Sequence, residues 1–197
     1  MVNSKRAPRK TNQELNERIF SATINILNTE GYEQVTFNNI AKEAGTSRPV
    51  LYRHWDSAFE LLLAAEDYFD DEEEDTFENL DFSDHSLREN LIVSLSHFDG
   101  SQSFLRAILI ELGNDNPVVH KYFAGLHKQQ LYIMERMLSA AQLKNEIKHT
   151  VTDNVKLLPF NLMLYQAMVD QNPVTKGWIE NLVDTIVLPA IMDQQNK

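Results

Sequence analysis

Between Ser47 and His54 the chain places Arg48, Tyr52, Arg53 and His54 within about two helical turns, with no carboxylate among them. Two guanidinium groups, a phenol and an imidazole give donors and positive charge on one short stretch. That chemistry suits phosphate oxygens and the acceptor edges of bases. Arg48 has two roles open to it. A bidentate pair with guanine would give about 1–3 kcal/mol of base discrimination, whereas a phosphate contact would give none.

Elsewhere the chain offers little that could catalyse or hold a metal. It has no cysteine, which excludes disulfides, thiolate zinc sites and cysteine nucleophiles. His120 and His127 have no carboxylate nearby in sequence to orient them as ligands. A di-iron bundle needs two Glu-x-x-His pairs and further glutamates, and here Glu146–His149 stands alone in a polar stretch. No glycine-rich phosphate loop occurs. The expectation is therefore no enzyme, no catalytic residue, no metal site and no cofactor.

The donor-rich stretch needs a scaffold, and the flanking residues describe one. Residues 1–10 are polar, basic and interrupted by Pro8, and read as a flexible arm. Thr11-x-x-Glu14 reads as a capping box opening a helix with an apolar stripe at Leu15, Ile19, Ala22 and Ile26, broadened by Phe20 and Leu27. Gly31 stands where a left-handed cap would end it. A short helix after Thr36 turns Phe37, Ile40, Ala41 and Ala44 inward, and Gly45 stops it. Ser47 is expected to cap a third helix with Pro49 in its first turn. Ser57-x-x-Glu60 opens a fourth through Leu62, Leu63 and Ala65 toward Phe69. A helix-turn-helix needs a small residue where its helices cross, a residue tolerant of positive φ at the turn, and apolar anchors on both helices. Ala41, Gly45, Ile40 and Leu51 meet those needs. Arg48, Val50, Tyr52, Arg53 and His54 then fall on the exposed face or its flanks. The competing reading is an ordinary helical hairpin with Tyr52 and His54 packed inside.

These residues resemble the tetracycline-repressor (TetR) family of bacterial regulators. The resemblance rests on Ile26-Leu27-Asn28-Thr29-Glu30-Gly31-Tyr32, on Thr36-x-x-x-Ile40-Ala41-x-x-Ala44-Gly45, and on Ser47-x-x-x-Leu51-Tyr52-Arg53-His54-Trp55. It covers residues ~11 to 65. It implies that Arg48, Pro49 and Val50 touch base edges, and that Tyr52, His54 and Thr36 contact phosphates, with Ser47 and Arg53 beside them. Thr46 stands where an aliphatic residue is usual, and Ala58 where the fourth helix often carries a phosphate-binding lysine. The basic arm residues Lys5, Arg6, Arg9 and Lys10 are candidates to replace that contact.

Charge is divided along the chain. Residues 1–55 carry eight Lys and Arg against five Glu, a net of +3, and the remainder carries −14 of the overall −11. Because screening limits electrostatic reach to about 8 Å, a basic head on an acidic body can bind DNA on one face. Residues 66–84 are mostly acidic and read as a solvated helix end and loop, or alternatively as a patch that keeps DNA off the body. Beyond them helical periodicity marks segments near 86–98, 101–113, 117–142, 153–171 and 175–194, with no β-alternation. The fold expected is all-α, with a basic arm over residues 1–10, a helix-turn-helix domain over 11–56 and a helical regulatory and dimerisation domain over 57–197.

Residues 153–171 carry two apolar stripes: Leu158, Leu162, Tyr165 and Val169, and Leu157, Phe160, Leu164 and Met168. The last segment does likewise. Two stripes mean burial on two sides, either against the chain's own core and a second copy or wholly within the monomer; a homodimer through residues 153–194 is the expectation, as the resemblance also implies. Pro159 either kinks the first of these helices or marks its start. The resemblance further implies an unidentified small-molecule effector, with Phe104, Glu111, Tyr122 and Tyr165 as candidate contacts. Together these readings give a ligand-responsive regulator, by family habit a repressor, acting on a palindromic double-stranded operator. The alternative is an all-α protein-interaction adaptor that binds no DNA. No membrane segment or secretory signal is apparent, so a cytoplasmic location is expected.

Overall fold

The computed structural model describes residues 10–70, 81–97 and 101–196. The basic arm up to Arg9, the acidic stretch 71–80 and Phe98 lie outside them. Among the described residues all regular structure is helical.

Helix α1 runs Lys10–Glu30 and buries Ile19, Phe20, Ala22, Ile26 and Leu27, the stripe its apolar spacing dictates. Its buried Thr23 hydroxyl donates to the Ile19 carbonyl at 2.8 Å, so burial leaves that donor satisfied. The helix is already under way at Lys10, so Thr11 lies within the first turn and is not the expected cap. At the other end Gly31 has φ 89° and ψ 167°. This region is open essentially to glycine alone, and it swings the chain into the 3₁₀ turn Tyr32–Gln34.

Helix α2 (Phe37–Glu43) is capped by Thr36, whose hydroxyl accepts from the Asn39 N–H at 3.2 Å. It closes on Gly45 at φ +63°, with Thr46 N donating to Ala41 O at 2.9 Å and Gly45 N to Lys42 O at 3.4 Å. That is a Schellman turn, and it is the sharp bend the motif required. Helix α3 (Arg48–Leu51) follows, then α4 (Ala58–Asp70). Ser57 Oγ accepts from Glu60 N at 3.0 Å, while the Glu60 carboxylate reaches one residue further back than a standard box, to Asp56 N at 2.8 Å. Helix α4 buries Phe59, Leu61, Leu62 and Ala65. Its Tyr68 ring lies 5.0 Å from Phe20 and its Phe59 ring 6.3 Å from Tyr32. These contacts bind α4 to α1 and to the 3₁₀ turn that follows it. The chain divides into two compact units, Met1–Glu74 and Asp75–Lys197, with α4 in the first.

The second unit contains α5 (Leu87–Ser96), α6 (Gln102–Gly113), α7 (Pro117–Leu143) and α8 (Asp153–Leu164), which continues as a π-helical turn over Tyr165–Val169. A last rod runs through α9 (Lys176–Leu182), a second π turn (Val183–Val187) and α10 (Leu188–Asp193). Leu87, Leu91 and Leu95 of α5 share a core with Met134, Met137 and Leu138 of α7, Phe160 and Met163 of α8, and Ile179, Val183, Val187 and Ile191 of the rod. Burying each such side chain contributes roughly 1.5–3 kcal/mol, which is what holds helices of low intrinsic stability in place. Pro159 sits buried inside α8 and so neither starts nor ends it. Of the two stripes on this segment, Phe160 and Met168 are buried, whereas Tyr165 and Val169 stand 56% and 55% exposed. Gln194 and Gln195, in a closing 3₁₀ turn, fasten the α7–α8 loop. Gln195 Oε1 accepts from Lys148 N and His149 N at 2.7 Å each, and Gln194 Oε1 from Thr152 N at 2.9 Å.

Candidate nucleic-acid interface

The recognition segment is anchored from beneath. Ile40, Ala41 and Leu51 are buried, Leu51 completely. Trp55 meets the Phe20 ring edge-on at 5.8 Å, and His54 leans on Trp55 at 5.5 Å. With those contacts turned inward, Ser47, Arg48, Pro49, Tyr52, Arg53 and His54 are all exposed, and Val50 is partly so. Tyr52 is 61% exposed, which rejects the hairpin alternative that would bury it. Its ring is nevertheless fixed, packed edge-on against Phe37 at 4.6 Å. Arg53 Nε donates to the Pro49 carbonyl at 3.2 Å, holding the base of the guanidinium.

Ser47 departs from expectation. It has the extended backbone of a cap, φ −116° and ψ 146°, but its hydroxyl makes no capping hydrogen bond. Pro49 explains this. A capping side chain serves the second or third N–H of the helix, and Pro49 has none to offer. The next N–H, on Val50, donates at 2.9 Å to the Ser47 carbonyl instead. The Ser47 side chain is thus spared for the outer face.

Beside the segment lies a shallow groove of about 390 Å³ lined by Val35, Thr36, Phe37, Asn38, Arg48, Tyr52, Asp56, Ser57 and Ala58. Thr36, Arg48 and Tyr52 therefore share one wall-and-floor arrangement. The sequence reading missed Asn38 and Asp56 there. Asp56 adds an acidic residue to the lining, and Ala58 leaves it without the extra lysine common in the resembling family. The reading also missed two polar ties that orient α2. Asn25 Nδ2 donates to Glu43 Oε1 at 2.6 Å, and Asn39 Nδ2 to the Gln34 carbonyl at 2.9 Å. A link across eighteen residues, like the first, has no periodic signature in a single sequence.

The four candidate effector contacts do not form one cluster by the contacts seen. Phe104 is buried and meets Tyr122 edge-on at 6.2 Å. Glu111 accepts from Asn116 Nδ2, and Asn116 is the cap of α7, so this carboxylate buttresses the α6–α7 turn. Tyr165 is largely exposed on the first π turn. A surface groove of about 570 Å³ does exist along α7, between Asp81–Ser83 and Tyr132–Lys144, but none of the four lines it. There Arg136 lies over the Phe82 ring at 5.3 Å and the Tyr132 ring at 5.8 Å. Among the described residues no group of acidic, histidine or cysteine side chains is placed to hold a metal ion, and no helix is long and apolar enough to cross a membrane.

The chain is similar to known proteins. Residues 19–65 match the model of the bacterial regulatory proteins of the tetR family. Uncharacterised helix-turn-helix-type transcriptional regulators of Mycobacterium bovis and Mycobacterium tuberculosis are 25% identical to the chain over 194 residues, covering 94% of it and 89% of their own length. A crystal structure of a protein from Rhodococcus sp., assigned to the TetR-family transcriptional regulators, superposes with a TM-score of 0.57 at 17% identity. It covers 93% of this chain and 100% of that one. At such identity the structural likeness is one of fold.

Proposed function

We propose that this chain is a DNA-binding helix-turn-helix transcriptional regulator of the kind whose family model matches residues 19–65, and that it is a ligand-responsive repressor acting as a homodimer on a palindromic operator. The observation that carries the reading is the exposed, braced edge of Arg48, Tyr52, Arg53 and His54 beside Thr36 and the spared Ser47 hydroxyl. A rigid donor set on the rim of a protein fits phosphates on either side of a major groove, with the start of α3 against base edges.

A homodimer is supported within the second unit. Tyr165 and Val169 on the α8 segment and Ile186 and Met192 on the last rod are 56%, 55%, 42% and 39% exposed. Apolar side chains grouped on two helical segments, in residues 153–194, suit a self-complementary face related by a two-fold axis. Two recognition segments so related would read a palindrome. In this reading the exposed donors of the first unit are given to DNA, which leaves regulation by a small molecule to the second.

Selection of genomic fragments by the purified protein tests the reading, and a recovered palindrome with binding that falls steeply as salt rises is expected. The double substitution Tyr52→Ala, His54→Ala should weaken binding to every duplex. Arg48→Ala should instead relax preference at one base step, by about 1–3 kcal/mol. Unaltered affinity in the double variant would refute the interface, and no duplex binding at low salt would favour an adaptor.

A further inference from the structure

The groove beside the recognition segment holds two residues of opposite charge, Arg48 at the start of α3 and Asp56 just before α4. Both are exposed, yet among the described residues neither forms an ion pair, with the other or with a third group. The short Asp56 side chain has little freedom to leave. Its own N–H donates to Glu60 Oε2 at 2.8 Å, Ser57 Oγ accepts from Glu60 N at 3.0 Å, and the preceding Trp55 ring packs on Phe20. The other lining residues are uncharged, so these two decide the field inside the groove. A DNA phosphate entering there would be drawn by Arg48 and repelled by Asp56, and the two effects oppose each other. A base edge carries no net charge. Guanine offers its O6 and N7 acceptors to a guanidinium, and the paired cytosine offers an N4 amino donor, which a carboxylate attracts. The lining that opposes a phosphate therefore accepts a G·C pair.

We propose that Asp56 decides what Arg48 reads: by opposing phosphate in this groove it turns the guanidinium to guanine, at one G·C pair in each operator half-site. Asp56 is a positioning residue, acting through Arg48. This rests on the DNA-binding reading above and chooses between the two roles open to Arg48. The element of specificity is repulsive. Phosphate contacts supply the sequence-independent share of binding, so a carboxylate set against one of them lowers affinity for every duplex while leaving base reading intact. With an uncharged residue in place of Asp56 the groove would carry Arg48 alone, and a phosphate would compete with guanine for it. Arg53 and His54 stand outside the lining and remain for phosphates.

The test uses the full chain. A random-sequence duplex library first yields a selected duplex, which is then compared in competition with versions altered one base pair at a time. The native chain should prefer G·C at one step of each half-site by about tenfold, and Arg48→Ala should abolish that preference. Asp56→Asn should bind every duplex about threefold more tightly at low salt, a gain that shrinks as salt rises. It should also lose most of the preference at that same step. Asp56→Glu keeps the charge and should keep the preference. Adding Asp56→Asn to Arg48→Ala should cost no further discrimination, because both act on one contact. Asp56→Asn should melt close to the native temperature, since the carboxylate has no hydrogen bond to lose among the described residues. A base preference that survives intact in Asp56→Asn overturns the proposal, as does an affinity that fails to rise. If the native chain selects a duplex in which no step depends on Arg48, the proposal falls and the DNA-binding reading stands. If it selects no duplex at all, that reading falls and takes the proposal with it.

Discussion

Gly31 and Gly45 both lie at positive φ, yet they should respond differently to the same substitution. At Gly45, φ +63° lies in the left-handed region, and an added Cβ would meet only the Arg18 Nη1 atom at 3.8 Å. Gly45→Ala should therefore cost only the backbone preference, about 1–2 kcal/mol. At Gly31, no atom lies within 4 Å of an added Cβ, but ψ 167° puts the residue where side chains are hardly tolerated. Gly31→Ala should lower stability more, by up to about 3 kcal/mol, and thermal denaturation of the two variants would rank them. Tyr52 offers a cleaner probe of the interface than its alanine variant does, because the ring also supports Phe37. Tyr52→Phe should leave the melting temperature in place while weakening binding to every duplex about equally, with the salt slope unchanged because a neutral phenol releases no counterion. The exposed donors and the Gly45 turn were legible in the sequence because residue type alone decides them. The spared Ser47 hydroxyl was not, since it depends on where the Val50 N–H goes. Nor were the left-handed caps at Asp115, Asn145 and Gln171, at φ 55°, 61° and 52°, because the glycine that usually announces such a cap is missing.

The helices of the second unit begin and end within about two residues of the periodicity that predicted them, since an apolar stripe and a cap are local signals. Pro159 is the seventh residue of α8, beyond the first turn where proline is tolerated, so of its two readings the helix start falls and the kink is the one left. The cap that opens α5 makes a prediction of its own. Ser86 and Glu89 form a full capping box, the hydroxyl accepting from Glu89 N at 3.3 Å and the carboxylate from Ser86 N at 2.9 Å. Hydrogen bonds from the Ser86 hydroxyl, then from its N–H, hold the Glu89 carboxyl below its ordinary value near 4.5. A carboxyl lowered in the folded state adds stability that is fully present above about 4.5 and disappears as pH falls through the lower, folded value. Glu89→Gln should thus be less stable than the native chain at neutral pH, and the difference should close on acidification. Chemical denaturation at both pH values would show a constant gap if the box did nothing. Asp184 follows the same sign, held low by the Arg88 side chain that it pairs with at 2.6 Å.

At the scale of the molecule, the all-α division into two units could be read from composition and periodicity, but the place of α4 could not. Its sequence belongs equally well to either side, and only the Phe20–Tyr68 and Tyr32–Phe59 contacts decide it. The proposed self-association is the molecular property most exposed to a single substitution. Ile186→Glu puts a charge on a 42% exposed apolar position, with no loss of core, and should yield folded monomers in sedimentation with weakened operator binding. A dimer that survives unchanged would move the interface elsewhere. The two π turns add a historical dimension to that surface. Asp170 N donates to Tyr165 O, five residues back, so each such turn houses one residue more than an α-helix would. Every side chain beyond it is rotated by roughly 100° relative to those before. A sister gene with a one-codon gap at Tyr165–Val169 would still fold, yet would show a different strip to its surroundings. If the proposed homodimer uses this face, such gaps should mark which paralogous subunits no longer assemble with one another.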